Sequence, residues 1–203
     1  VDPITGKALS ELTTLTGFSK VFGLAGWQGL ILAFDSSGNV IKVDPITKVV
    51  TPLGDKDIAP IVAALNGLSA DLLALYLAAK VAHWNVRGPL FAPLHELFGQ
   101  LADAVAELAD ETAERVVQLG DLAIGTAEQV AATKAPAYPV STVDGLAHCA
   151  ALADMLDAVN EAAHAARDVA DEHGDPDTFD ILTKCVRTLE KYGWQIAAHV
   201  QGA

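Results

Sequence analysis

Apolar residues recur at three-and-four spacing from Ile58 to about Val86, through Ile61, Leu65, Leu68, Leu72, Leu75 and Ala79. That period predicts a long helix with one buried face, and it places His83 near the helix end. The same spacing through Leu94, Leu97, Phe98, Leu101, Val105 and Leu108 predicts a second helix from Phe91 to Leu119. After Gly120 the pattern lapses for about twenty residues, broken by Pro136 and Pro139, with a short helical piece near Ala127 to Thr133. A third helix is expected from Val143 to Glu172, capped by Ser141 or Thr142. Gly174 ends it, and Asp175-Pro176-Asp177 opens a last helix running to about Val200. Two long helices, a long crossover and two more long helices define a four-helix bundle whose middle connection is not a tight turn.

The first 56 residues read differently. Short β-rich runs, Lys20 to Leu24, Leu30 to Phe34, Val40 to Val43 and Val49 to Leu53, alternate with turn signals at Gly26, Gly29, Ser36-Ser37-Gly38-Asn39 and Pro45. Val1-Asp2-Pro3-Ile4-Thr5 recurs as Val43-Asp44-Pro45-Ile46-Thr47, an offset of 42 residues. That period, with four strands, resembles a single β-propeller blade. The expected organisation is therefore a small β module, 1–56, ahead of a mainly α domain, 57–203. A lone blade leaves open sheet edges, so it is expected to pair between neighbouring copies or pack on a larger assembly.

Composition narrows the class. The chain of 203 residues is 51% hydrophobic with no unbroken apolar run of eighteen, so a membrane span is not expected. Its start, Val1-Asp2-Pro3-Ile4-Thr5, has neither the basic n-region nor the apolar h-region of a secretory leader. Cys149 and Cys185 stand alone without CxxC partners, which fits a reducing, cytoplasmic setting. Five acids and five lysines balance within residues 1–56, so the whole net charge of −13 lies in 57–203. Such an excess of carboxylates repels phosphate backbones and attracts cations, so DNA binding is not expected.

Candidate chemistry centres on His83 and His95, twelve apart, and on Asp110 and Glu114, four apart. Imidazole with carboxylate is a donor set that suits iron. Asp110 and Glu114 share one face of the second helix, but His95 and Asp110 are separated by roughly 22 Å of helical rise. If all four are ligands, a second copy must supply one half of each site.

The run His83-Trp84-Asn85-Val86-Arg87-Gly88-Pro89, then Phe91, Leu94-His95-Glu96, and Asp110 through Ala113-Glu114-Arg115 to Leu119-Gly120, resembles the Dps family of mini-ferritins. The likeness continues through Gly125-Thr126, Ala137-Tyr138-Pro139, Gly174-Asp175, Thr178, Asp180 and Trp194. It implies a ferritin-like four-helix bundle assembled as a twelve-subunit shell. His83 and His95 of one subunit, with Asp110 and Glu114 of its two-fold partner, would form a ferroxidase centre. That centre would oxidise Fe(II) with hydrogen peroxide, store ferric mineral and protect against oxidative stress. It also makes Asp175, Asp177 and Asp180 candidate acids of an iron-entry pore, though helix capping explains the first two equally well. One position departs from the family pattern: Gly99 stands where an aspartate is usual, four residues after the second histidine. One of the two iron positions is then expected to bind poorly, and Asp103, a turn further on, is a poor substitute. The competing expectation is a shell that serves as a scaffold, its centre impaired at Gly99 and its β module mediating assembly or partner binding. Glu161 and His164, three apart on the third helix, are expected at the surface because an intrachain di-iron design needs a second such pair.

Overall fold

The computed structural model describes residues 21–27, 30–35, 40–43, 50–52 and 55–201, with side chains from Ile58 to Gln201. The chain divides into two compact units, Val1–Lys56 and Asp57–Ala203. The first holds strands β1 (Val21–Trp27), β2 (Leu30–Asp35), β3 (Val40–Val43) and β4 (Val50–Pro52). They pair in sequence order as an antiparallel meander, with Trp27 opposite Leu30 and Ile31 opposite Val43. The register slips between Val21 and Gly23, an irregularity that alternation alone does not reveal. The repeat's first copy, Val1–Thr5, and the expected turns at Ser36–Asn39 and Pro45 lie outside the described residues.

The second unit is built from α1 (Asp55–Asn85), whose first two residues fall in the preceding unit, α2 (Phe91–Gln118), the short α3 (Ala127–Ala131), α4 (Gly145–Glu172) and α5 (Pro176–Ala197). Every apolar position expected to face inward on α1 is buried, and on α2 all but Leu97, which is half-buried at the rim of the core. Leu152, Leu156 and Val159 of α4 and Leu182, Val186 and Leu189 of α5 close the same core. Burial of such side chains contributes about 1.5–3 kcal/mol each, so the bundle rests on these stripes rather than on its surface pairs.

By length and apolarity α1 could cross a bilayer, since its stretch Ile58–Asn85 carries few charges. In this fold it is a core helix, with half of its most apolar window buried within the chain. Asn66 ties it to the crossover, donating from Nδ2 to the Leu122 carbonyl (3.1 Å) and accepting from the Ile124 amide (3.0 Å).

α4 begins two residues later than its pattern suggests. The Val143 carbonyl accepts from the Arg87 amide at 2.9 Å in a short parallel bridge, which holds that residue out of the helix. Asp144 is the cap in place of Ser141 or Thr142, accepting from the Ala147 amide at 2.9 Å. At its other end α4 turns back through Gly174, whose φ of +70° is the left-handed value a helix stop requires. α5 then packs antiparallel to α4. It ends at Ala197, three residues short of the expected Val200, and α3 likewise stops at Ala131.

Candidate metal centre

α1 delivers His83 and α2 delivers His95 across a turn at Gly88, where φ is +101°. The two imidazoles lock one another. His83 Nδ1 lies 2.6 Å from the His95 carbonyl, and His95 Nδ1 lies 2.8 Å from the His83 carbonyl. A carbonyl oxygen can only accept, so both rings carry their hydrogen on Nδ1, and Nε2 is left as the free donor atom in each. The rings stack with centroids 3.8 Å apart, and Phe91 lies against His95 at 5.1 Å. Both histidines are half-buried. Two parallel imidazoles with fixed tautomers, Nε2 free on each, are a preorganised pair for a borderline or hard cation.

Large apolar side chains that neighbour the pair in the chain are open to solvent. Trp84, next to His83 in the chain, is 67% exposed and Phe91, against His95, is 47% exposed; Leu90 and, further back on α1, Leu77 are exposed as well. Exposed side chains of this size beside two free imidazole donors mark a surface suited to being covered.

Asp110 and Glu114 occupy one exposed face of α2, about one turn apart. The helix runs unbroken from Phe91 to Gln118, so they stand roughly 22 Å of rise from His95. Within one chain, then, the structure brings the histidines together and pairs the acids, but keeps the two pairs apart. Among the described residues no group of three or more candidate ligand side chains gathers in a single chain. Asp103 is exposed on the same helix, and Glu96 hydrogen-bonds with Gln100 at 3.0 Å.

The three candidate pore acids are not equivalent. Asp175 is the cap of α5, and its carboxylate accepts from the Thr178 amide (3.1 Å) and from Arg115 Nη2 (2.8 Å), while Arg115 Nε donates to the Thr178 hydroxyl (2.8 Å). Burial pushes its pKa up, but the Thr178 donors and the Arg115 guanidinium outweigh it and hold the carboxyl below its usual 3.8. Asp177 and Asp180 remain open to solvent. His164 lies 3.5 Å from Glu190 on the α4–α5 surface, and Glu161 is exposed beside it.

His148 is fully buried, and its Nδ1 is hydrogen-bonded to the Tyr138 hydroxyl of the crossover. That bond anchors the crossover to α4. No local pattern pointed to it, because the partners belong to different segments.

A ferritin-like domain model matches residues 62–203. Two antiparallel helix pairs joined by a long connection are the architecture of that class. Among curated proteins, "DNA protection during starvation protein" of Agrobacterium fabrum is 39% identical over 142 residues, covering 70% of this chain and 88% of that protein. Among solved structures, Dps92 of Deinococcus radiodurans superposes with a TM-score of 0.69 at 31% identity, covering 73% of this chain and 90% of that one. A Dps protein of Vibrio cholerae gives a TM-score of 0.69 at 24% identity over 73% of this chain and 94% of its own, a likeness of fold. The chain belongs to the Dps family.

Proposed function

We propose that this protein is an iron-storing mini-ferritin that oxidises Fe(II) at sites shared between two subunits. His83 and His95 supply the imidazole half, and Asp110 and Glu114 of a two-fold neighbour supply the carboxylate half. The observation that carries the reading is the reciprocal lock of His83 and His95, which leaves both Nε2 atoms free beside an uncovered apolar rim. Iron(II) is the substrate. Carboxylates stabilise the ferric product, and the imidazoles hold the ion while a position stays open for the oxidant. One hydrogen peroxide accepts two electrons, one from each of two iron(II) ions, so oxidation proceeds without release of hydroxyl radical.

The assembly proposed is a hollow homo-oligomer of twelve subunits in the cytoplasm, where the buried free thiols Cys149 and Cys185 stay reduced. Asp177 and Asp180 would add negative potential along an entry path for the cation. The acidic balance of 57–203 argues against a DNA-condensing role of this unit. Residues 1–56 are proposed as a blade-like module whose sheet edges pair with those of neighbouring copies, so its deletion should alter assembly.

Stopped-flow oxidation of Fe(II) tests the central reading. Asp110→Ala combined with Glu114→Ala should reduce the rate to that of buffer. A wild-type rate no faster than buffer would favour the scaffold alternative that Gly99 raises.

A further inference from the structure

Gly99 lies on α2 one turn beyond His95, against the edge of the His83 ring. A Cβ built there would stand 3.1 Å from His83 Nδ1 and 3.2 Å from Cε1, closer than ordinary van der Waals contact. Such a contact is harmless if the neighbour can yield, and here the neighbour is held on two sides. Its Nδ1 donates to the His95 carbonyl at 2.6 Å, and its face stacks on His95 at 3.8 Å. His95 cannot retreat freely either, because its own Nδ1 donates to the His83 carbonyl at 2.8 Å and the Phe91 ring stacks against it with centroids 5.1 Å apart.

We propose that Gly99 is a positioning residue: its missing side chain lets the His83 imidazole seat flush on α2, which fixes the direction of the free Nε2. The proposal rests on the reading of His83 as an iron ligand, and it changes what Gly99 means. The position is not merely a lost carboxylate. It is the floor on which this chain's imidazole pair is preorganised, and a Cβ added here requires the ring to shift by a few tenths of an ångström before the new side chain can act as a donor. The site therefore relies on two rigid imidazoles where a carboxylate donor would otherwise contribute.

The test compares Gly99→Ala, Gly99→Asp and Gly67→Ala in the full assembled protein, with Co(II) as the probe under anaerobic conditions. Gly67 is also inside a helix but meets nothing within 4 Å, so its replacement reports the simple helix gain from alanine. Gly67→Ala should raise the melting temperature, while Gly99→Ala should not. Gly99→Ala should also weaken Co(II) binding by about ten- to hundredfold, the usual effect of losing a group that orients a ligand. Gly99→Asp should fail to tighten it. Crystals of the metal-free Gly99→Ala protein should show the His83 ring displaced and its bond to the His95 carbonyl lengthened.

Wild-type Co(II) affinity in Gly99→Ala, with the same thermal gain as Gly67→Ala, would overturn the proposal. So would tighter binding by Gly99→Asp. If the wild-type protein binds no Co(II), the iron reading fails. The metal-free structure and melting temperature then still decide whether Gly99 seats the ring.

Discussion

If the histidine and acidic halves belong to different subunits, two inactive variants should rescue each other. The first variant carries His83→Ala with His95→Ala, and the second carries Asp110→Ala with Glu114→Ala. Alone, each destroys every site. In a two-fold pair of one copy of each, one site loses both halves and the other keeps both, because a symmetric interface presents each half twice. Random mixing at equal ratio makes half of the pairs mixed, and each mixed pair carries one intact site of two. The expected oxidation rate is about a quarter of wild type per total subunit. The magnitude depends on the roughly 22 Å of α2 between His95 and Asp110, a span no side chain crosses. The assay is stopped-flow Fe(II) oxidation on co-expressed protein, with native mass spectrometry to establish that the subunits have mixed. A mixture no faster than either parent would refute the shared pocket, as would wild-type turnover by either variant alone.

The clamp at the start of α5 should divide into two parts. Asp175→Asn keeps a cap but leaves the Arg115 guanidinium without its counter-charge, whereas Asp175→Ala loses both, costing about 1 kcal/mol more for the cap. Melting temperatures should fall in that order, and equal values would count against the cap. Because the Asp175 pKa is lowered in the fold, its contribution is complete well above 3.8 and is lost as pH falls below that value, so acid should narrow the gap between wild type and Asp175→Asn. Gly145→Ala should destabilise by about 1–3 kcal/mol, since the new Cβ would meet Leu94 Cδ1 at 2.6 Å in a residue with no exposed surface to move into. An unchanged melting temperature would show that Leu94 can re-orient. Burial pushes the His148 pKa below 6.5, against a weaker opposing pull from Asp144, so the unfolded chain takes up this proton first as pH falls. Stability should therefore decline below about pH 6.5, and His148→Gln should remove part of that slope in a pH series of unfolding scans.

Much of this architecture was legible because helical periodicity is local. The stripe from Ile61 to Ala79 depends only on spacing within one segment, and all of it is buried. What spacing misses is what two segments do to each other. Val143 continues the α4 pattern, yet its carbonyl is taken by the amide of Arg87 in the turn between α1 and α2, and the helix starts after it. The Asn66 clamp and the Tyr138–His148 bond are invisible for the same reason, since neither partner carries a local signature. The candidate ligands were legible as residue types and intervals. Their tautomers were not, because these follow from carbonyls that only the antiparallel approach of α1 and α2 brings within reach.

That approach also explains why iron chemistry and assembly should be inseparable in this protein. α1 is apolar on more than one face, but the chain's own core covers only part of it, leaving Leu77 and Trp84, seven residues apart, on the open side. A helix with this pattern is stable in water only when something covers the second face. The free imidazole donors of His83 and His95 lie at the same end of the helix as Trp84 and Phe91. In the proposed assembly a neighbouring copy that covers these apolar side chains would arrive where the donor set is incomplete, and by symmetry would receive the same from its partner. Selection for a stable shell and selection for a complete site would then act on one surface, and dilution to monomers should abolish oxidation and expose the rim together.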